Sequence, residues 1–282
     1  MFTIRNPKTL RKKIISLKKK GKRVGLVPTM GFLHEGHLSL VRRARKECDF
    51  VIVSIFINPT QFGPSEDFLR YPRDIKRDKR ILKKEKADFL FLPSNEAMYK
   101  EGHSVVVEEY RISKILCGKF RPGHFRGVLT IVSKLFNIAL PDRAYFGQKD
   151  LQQAYLIKKM VDDLDFPIQI VIFPIVREKS GLAMSSRNTY LTDKEKKLAL
   201  VLKRSLDRVV HLTGSGIKDT AVLKRSGRLI LKCGTKKIDY IQIVTLPEFH
   251  FAKRIEKGRT YAVLCAAYVG RTRLIDNRIF KG

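Results

Sequence analysis

The 282-residue sequence has no tryptophan, only four cysteines, and fewer than half as many acidic residues (27) as basic ones (58). The cysteines are far apart and form neither a Cys-x-x-Cys pair nor a cluster with histidine, which disfavours a disulfide scaffold and a zinc site. The longest apolar run, residues 51–57 with one serine, is far shorter than the roughly 18 residues of a membrane helix. We therefore expect a soluble, cytoplasmic protein with reduced thiols.

Two common nucleotide-binding motifs are also missing. No Gly-x-Gly-x-x-Gly follows a predicted strand, and the one Gly-x-x-x-x-Gly, from Gly118 to Gly123, precedes His124 and Phe125 instead of Lys and Ser or Thr. Dinucleotide binding and P-loop hydrolysis are therefore disfavoured.

The net charge of +31 and the isoelectric point near 10.2 are typical of nucleic-acid binding. However, the excess of Lys and Arg divides almost evenly between residues 1–176 and 177–282, and the lysine runs fall on predicted helix faces. We interpret the charge as a solvated surface that also raises the local concentration of anionic substrates, and a basic nucleic-acid-binding protein stays the less favoured alternative.

Apolar periodicity predicts an α/β fold, a parallel sheet covered by helices on both faces, with a smaller α+β C-terminal domain. In the first part, predicted strands (24–27, 49–57, 89–92, 144–146, 168–173) alternate with predicted helices (37–47, 73–86, 127–140, 150–164). After residue 176, helices over 191–212 and 218–232 precede three closely spaced strands, at 240–245, 260–269 and 272–276. We therefore predict two domains, residues 1–176 and 177–282.

The most informative segment is Pro28-Thr29-Met30-Gly31-Phe32-Leu33-His34-Glu35-Gly36-His37. It places two histidines three residues apart where a predicted strand turns into a helix, a junction at which ligands bind in open α/β sheets. The first amides of the helix are expected to offer free N–H groups to an anion, and Gly31 and Gly36 let a triphosphate approach the backbone. A His-x-x-His pair is often only two surface histidines, but the chain has just six histidines. We predict a phosphate site with His34 and His37 on one face.

Three further segments carry weaker signals. Phe146-Gly147-Gln148-Lys149-Asp150, followed by Gln153, is a glycine turn between a strand and a helix, and Lys149 there offers a point charge to a phosphate. Residues 181–188 form a polar, mobile-looking loop whose Ser185, Ser186 and Arg187 could close on a polyphosphate, although a simple linker is the alternative. Gln61, in the loop after the second strand, could orient a hydroxyl or carboxylate.

Six segments occur in a fixed order, residues 28–37, 54–62, 71–73, 121–128, 141–153 and 181–188, and a closing segment follows at 270–277. Together they resemble the motifs of the pantoate–β-alanine ligase (pantothenate synthetase) family over about residues 2–277. The resemblance implies a Rossmann-like nucleotidyltransferase domain, a lid-like C-terminal domain, ATP with Mg²⁺, and a homodimer. Three departures are mild: Gln148 replaces a common Glu, Thr60 a common Met, and Gln242 a frequent acid.

The resemblance also implies site residues. It assigns the catalytic roles to His34, His37, Lys149 and Arg187, with His37 the better candidate for proton donation. Pantoate and β-alanine would contact Gln61, Gln153, Met30 and Phe146. ATP would contact two helix-start turns and the C-terminal loop, at Met30, Gly31, Phe32, Leu33, His34, Glu35, Gly36, His37, Gly147, Gln148, Lys149, Asp150, Val176, Met184, Ser185, Ser186 and Arg187. The Mg²⁺ ligands are not specified by the sequence.

The implied reaction joins pantoate to β-alanine in two steps, through a pantoyl adenylate. The nearest alternative is another His-x-Gly-His nucleotidyltransferase, such as a cytidylyltransferase or a fragment of an aminoacyl-tRNA synthetase.

Overall fold

The computed structural model describes residues 1–64 and 66–282, so Ser65, within the predicted polar loop 58–67, lies outside the described residues. The chain divides into two compact units. The first contains residues 1–148 and 152–174, and the second contains residues 149–151 and 175–282. Among the helices that the described residues form, none is long and apolar enough to cross a membrane.

The first unit is built on a six-stranded parallel sheet, which confirms the Rossmann-like expectation. The strands are β1 (Phe2–Ile4), β2 (Val24–Thr29), β3 (Phe50–Ile55), β4 (Phe89–Phe91), β5 (Arg143–Gly147) and β6 (Gln169–Phe173). Their order in the sheet is β1-β4-β3-β2-β5-β6. The central strands are almost entirely buried, as a sheet covered on both faces requires. The sequence analysis missed β1, whose three residues pair with β4.

Helices follow the strands, and the longer helices after β2, β3, β4 and β5 correspond to the four predicted ones. They are α1 (Pro7–Lys18), α2 (Glu35–Glu47), α3 (Ile75–Lys84), the single turns α4 (Asn95–Met98) and α5 (Cys117–Phe120), α6 (His124–Ala139) and α7 (Leu151–Asp163). Local chemistry sets their ends: the Asn6 side chain accepts the amides of Lys8 and Thr9 to begin α1, and Leu140 adopts a left-handed conformation where α6 ends before Pro141. All four cysteines are free thiols.

The strand order determines where ligands can bind. The chain passes from β2 to β3 on one side of β2, and β5 pairs with β2 on its other side. Neighbouring parallel strands whose connections leave in opposite directions open a crevice at their carboxyl ends, the usual ligand site of such sheets. Two of the predicted segments follow these two strands: the His-x-Gly-His turn follows β2, and the Gly147 turn follows β5.

In the second unit, α8 (Asp193–Gly214) and α9 (Thr220–Lys232) precede an antiparallel sheet of β7 (Lys237–Thr245), β8 (Thr260–Val269) and β9 (Thr272–Lys281). Thr192 and Glu195 form a capping box that begins α8. One apolar cluster from both helices and all three strands fills the core. Strand β9 extends past the predicted end at Asp276, because β8 pairs with it as far as Lys281.

The division differs from the predicted domain boundary in two places. Ile175 and Val176 belong to the second unit, and so do residues 149–151. The Asn277 side chain of β9 donates to the carbonyl oxygen of Lys149 at 3.0 Å, which ties that short segment to the antiparallel sheet. Sequence periodicity gives no signal for such a contact, since the two residues are 128 positions apart.

Candidate active site

The turn after β2 has a backbone that requires glycine. Gly31 has φ +86°, and a Cβ there would lie 2.9 Å from the Ile55 side chain and 3.2 Å from the carboxylate of Asp78. Phe32 follows with φ +50°, an uncommon conformation for a residue with a side chain. Two successive left-handed residues reverse the chain sharply, so that α2 begins directly above the end of β2.

The structure brings His34 and His37 together at the start of α2, with ring centroids 4.0 Å apart. His34 caps the helix, because its Nδ1 atom accepts the amide of Gly36 at 3.2 Å. The Nδ1 atom of His37 in turn accepts the amide of His34 at 3.3 Å. A neutral imidazole that accepts through Nδ1 carries its proton on Nε2. These hydrogen bonds therefore assign both rings as Nε2–H donors.

The expectation of free helix-start amides is wrong for Gly36 and His37, and amides of the preceding turn are occupied as well. The amides of Phe32 and Leu33 donate to Asp78, and that of Gly31 donates to the Thr29 hydroxyl at 3.2 Å. The amides of Gly36 and His37 donate to His34, through its side chain and its carbonyl oxygen. The turn uses these amides to hold its own shape.

Asp78 is a residue that the sequence analysis missed. It lies on α3, has no exposed surface, and accepts the amides of Phe32 and Leu33 at 2.7 and 2.8 Å, one on each carboxylate oxygen. Burial raises the pKa of this carboxyl, although the two amides and the Arg77 guanidinium, 3.7 Å away, oppose the shift. A signal was present: Asp78 occupies the same face of the basic helix as Leu82, four residues later, which is also fully buried.

Gln61 lies beside the same turn, on a short 3₁₀ helix (Pro59–Gln61) after β3. Its side chain is buried. Its Nε2 atom lies 2.9 Å from the sulfur of Met30, and its Oε1 atom accepts a hydrogen bond from the side-chain Nδ2 of Asn58 at 3.3 Å. Asn58, also missed from the sequence, donates to the carbonyl oxygen of Gly127 at 3.0 Å and accepts the hydroxyl of Tyr99 at 2.7 Å. A buried amide pair thus faces a thioether at the carboxyl edge, a setting that suits a small polar substrate with an apolar part.

The turn after β5 supplies further predicted residues. Phe146 is buried at the end of the strand, whereas a Cβ at Gly147 would meet no atom within 4 Å. Gln153 is half-buried near the start of α7. Its neighbour Gln152 is committed to structure, because its buried side chain bonds the carbonyl oxygens of Ile112 and Ile115 and the amide of Cys117. Of the two adjacent glutamines, Gln152 is therefore structural, and Gln153 stays the predicted ligand.

The second unit carries the remaining predicted residues. Within it, Lys149 is half-buried, with its Nζ atom 3.8 Å from the Asp150 carboxylate. The carbonyl oxygen of Val176 accepts the amide of Met184 at 3.0 Å, and an isolated bridge joins Arg177 to Ala183.

The linker alternative for residues 181–188 does not hold, because part of this loop is built into local structure. The bridge between Arg177 and Ala183 makes a small hairpin, and a 3₁₀ helix (Ser186–Tyr190) follows, capped by the Ser185 hydroxyl. Arg177 anchors the hairpin through two hydrogen bonds, at 2.8 and 3.0 Å, to the buried carboxylate of Asp276 on β9. Tertiary contacts therefore order a segment whose polar composition resembles that of a linker.

A resident metal cage is absent from the part of the chain that the structure describes. In those residues, no three His, Cys, Asp or Glu side chains gather in a group that could hold a metal ion. Mg²⁺ is often bound by substrate phosphates and only one or two carboxylates, and such binding requires no cluster of this kind.

Comparison with known proteins agrees with this geometry. The sequence matches the family described as pantoate-beta-alanine ligase over residues 2–279. The pantothenate synthetase of Sulfurihydrogenibium sp. (strain YO3AOP1) is 50% identical over 279 residues, which are 98% of this chain and 99% of the relative. That of Caldicellulosiruptor bescii is 54% identical over 262 residues, 93% of this chain and 92% of the relative.

Solved structures show the same relationship. The crystal structure of pantothenate synthetase from Thermus thermophilus superposes with a TM-score of 0.91, at 42% identity, over 99% of each chain. Pantoate-beta-alanine ligase from Francisella tularensis, crystallised with beta-gamma ATP and beta-alanine, gives a TM-score of 0.82 at 38% identity, over 99% of this chain and 97% of that one. From its sequence and its fold, this chain belongs to the pantoate–β-alanine ligase family.

Proposed function

We propose that this chain condenses (R)-pantoate with β-alanine to form pantothenate, using ATP and releasing AMP and pyrophosphate. Family membership over nearly the whole chain supports this reaction. The observation that carries it is the pair of adjacent imidazoles, His34 and His37, held as Nε2–H donors at the point where the sheet order reverses.

In the first step a carboxylate oxygen of pantoate attacks the α-phosphorus of ATP, the bond to the bridging oxygen breaks, and pyrophosphate leaves. In the second step the amine of β-alanine attacks the acyl carbon, loses a proton, and displaces AMP. Transfer at phosphorus depends mainly on positioning and on stabilising charge at the phosphate oxygens. The Nε2–H groups of His34 and His37 are suited to that task, and His37 is the proposed proton donor to the leaving group.

The other roles follow the family resemblance. Lys149, Ser185, Ser186 and Arg187 would neutralise the transferring phosphate and pyrophosphate. Gln61 and Gln153 would orient pantoate, while Met30 and Phe146 provide an apolar wall for its methyl groups. The 2.9 Å contact between Gln61 and Met30 supports this pairing of a polar and an apolar contact. The remaining nucleotide contacts are proposed at Gly31, Phe32, Leu33, Glu35, Gly36, Gly147, Gln148, Asp150, Val176 and Met184.

Mg²⁺ is proposed to bind together with ATP. When bound, it would withdraw charge from the phosphate oxygens.

A pantoate-dependent exchange of pyrophosphate into ATP tests the first step directly. We expect exchange with pantoate and none with the acid substrates of other nucleotidyltransferases. If the rate of exchange does not depend on pantoate, the proposal is rejected in favour of another His-x-Gly-His enzyme. Submicromolar binding to duplex or single-stranded nucleic acid at physiological salt would instead support the nucleic-acid alternative, since non-specific affinities are about 10⁻⁴ to 10⁻⁶ M.

The role of Arg187 is separable from that of the general positive charge. Scattered lysines act through a field that fades beyond roughly 8 Å at physiological ionic strength, whereas Arg187 is proposed to touch the phosphates. Added salt should slow ATP capture modestly. Arg187→Ala should slow single-turnover adenylation at low and high salt alike, and an unchanged rate would remove Arg187 from the site.

We also propose a homodimer in the cytoplasm. Apolar side chains that are largely exposed in the single chain support self-association: Val105 (79%), Val106 (49%) and Tyr110 (79%) lie within one short, irregular stretch. Light scattering after gel filtration should give twice the mass of one chain, 32.5 kDa. A Val105→Asp variant should shift the mass towards the monomer.

A further inference from the structure

Asp78 is an unusual feature of the first unit, because it is an acidic side chain without exposed surface whose nearest guanidinium, that of Arg77, lies 3.7 Å away. Its two carboxylate oxygens are instead occupied by the amides of Phe32 and Leu33. These two amides belong to the turn that leads into His34.

We propose that Asp78 is a positioning residue for the reaction: it holds the turn between β2 and α2 so that His34 and His37 present their Nε2–H groups to the substrate phosphates. This inference rests on the proposed function. Asp78 acts through the backbone and is not itself placed in contact with substrate.

The geometry explains why a carboxylate is needed. The amides of two successive residues point to one place only because Gly31 and Phe32 are both left-handed, at φ +86° and +50°. A forked acceptor with two equivalent oxygens satisfies both amides, whereas an asparagine offers one acceptor and one donor. In an Asp78→Asn variant, one amide would therefore face an N–H group instead of an oxygen.

The connection from Asp78 to the imidazoles is short. Leu33, whose amide Asp78 accepts, is followed by His34, whose Nδ1 caps α2 at the amide of Gly36. The amide of His34 in turn donates a hydrogen bond to Nδ1 of His37. A rotation of the turn would break both Nδ1 contacts and release each ring from its tautomer and orientation.

The protein retains this carboxylate at an energetic cost. Burial raises its pKa, so keeping the charge at neutral pH is unfavourable for the folded state. Energetic costs of this kind are common at functional sites, where the position of a group matters more than its contribution to stability. The Arg77 guanidinium, 5.1 Å from the Phe32 ring centroid, packs over the outside of the same turn.

The test compares Asp78→Asn with a matched control, Asp88→Asn. Asp88 also accepts a strand amide, that of Val51 at 2.8 Å, and pairs with Arg45, but it precedes β4 at the opposite end of the sheet. We expect Asp78→Asn to lower kcat for pantoate-dependent exchange roughly 10- to 100-fold with KM for pantoate nearly unchanged, because misplacement of catalytic groups by about 1 Å costs about that much. Asp88→Asn should keep the parent kcat. Equal kcat values for the two variants would overturn the proposal.

Nitrogen-15 NMR of the histidine rings supplies a readout that a merely structural role would not change. In the parent, the neutral rings of His34 and His37 should be Nε2–H tautomers, and the amides of Phe32 and Leu33 should exchange slowly with solvent. Asp78→Asn should mix the tautomers, and Asp88→Asn should not.

Fast exchange of those two amides in the parent would overturn the proposal even if Asp78→Asn failed to fold. A parent that shows this NMR signature but no pantoate-dependent exchange would reject the proposed function and leave the role of Asp78 in holding the turn intact.

Discussion

The two ends of the parallel sheet use acidic side chains in opposite ways. At the amino end, an aspartate stands immediately before each of three strands, and its carboxylate accepts a backbone amide in a neighbouring strand or one residue before it. The carboxylate of Asp49 accepts the backbone amide of Arg23, that of Asp88 accepts the amide of Val51, and that of Asp142 accepts the amide of Val24. The three donor–acceptor distances are 2.7 or 2.8 Å. At the carboxyl end, the corresponding acceptor is Asp78, and it bonds the turn that carries the histidines.

The settings of these carboxylates differ as much as their positions. Asp88 and Asp142 are partly exposed and form ion pairs with Arg45 and Lys18. Asp78 is fully buried and accepts the amides of Phe32, which is left-handed, and of Leu33. At the amino end, the carboxylates are partly solvated or paired with a basic side chain, and their contacts fix the strands. At the carboxyl end, the carboxylate is buried at a cost in stability, and its contacts fix the turn that carries the histidines. The same side chain therefore serves stability at one edge and geometry at the other.

The largest expected effect is at the carboxyl end. His37→Ala should lower the rate of pantoyl adenylate formation by about 100-fold or more, since loss of one donor to a developing charge typically costs roughly 2.7 to 4 kcal/mol. Single-turnover adenylation measures it. The thermal midpoint should stay near that of the parent, because this half-buried turn residue contributes little to the core. A near-parent rate would remove His37 from the chemistry.

Gln61→Ala should have a smaller and more selective effect. A buried substrate group that loses its hydrogen-bond partner typically loses roughly 1 to 3 kcal/mol, so KM for pantoate should rise much more than KM for ATP. Gln153→Ala should behave similarly. If both substrates weaken equally, the two glutamines do not orient pantoate.

At the amino end, Asp142→Ala should affect stability and not activity. Removing the carboxylate deprives the Val24 amide and Lys18 of their partner, and we expect the free energy of unfolding to fall by about 1 kcal/mol. Denaturant titration measures this change. The turnover of the folded protein should match the parent, and a large loss of turnover would show that the two ends of the sheet are not independent.

The smallest expected effect concerns pH: on acidification, the contributions of Asp49 and Asp78 to the free energy of unfolding should change in opposite directions. The Arg23 amide lowers the pKa of Asp49, so its contribution to stability is present above the unfolded-state value, about 3.9, and is lost as pH falls through the lower folded-state value. Burial raises the pKa of Asp78, so the folded protein takes up that proton first and gains stability as pH falls towards 3.9.

Denaturant titrations of Asp49→Asn and Asp78→Asn against the parent, from neutral pH to about 3.5, would reveal both slopes. The deficit of Asp49→Asn should shrink on acidification, whereas the parent should gain relative to Asp78→Asn. Parallel curves for the two variants would contradict the contrast between the two ends of the sheet.

Much of the fold could be predicted because its signals are local. The Asn6 cap of α1, the Thr192–Glu195 capping box of α8 and the antiparallel strands at 260–269 all depend on residues close together in the sequence. The short strand β1 was missed because three residues carry too little periodicity. The polar hairpin at 177–183 was not predicted, because its order comes from Asp276, 99 residues away from Arg177.

By itself, the sequence determined the alternation of strands and helices, the glycine turn with its two histidines, and the ordered set of motifs that indicates the family. Only the tertiary structure decided how those histidines are held. Asp78 reaches the turn across 46 positions, and Asn58 reaches Gly127 across 69. Such contacts depend on which strands become neighbours, and that order follows from burying all the apolar faces at once rather than from any local pattern.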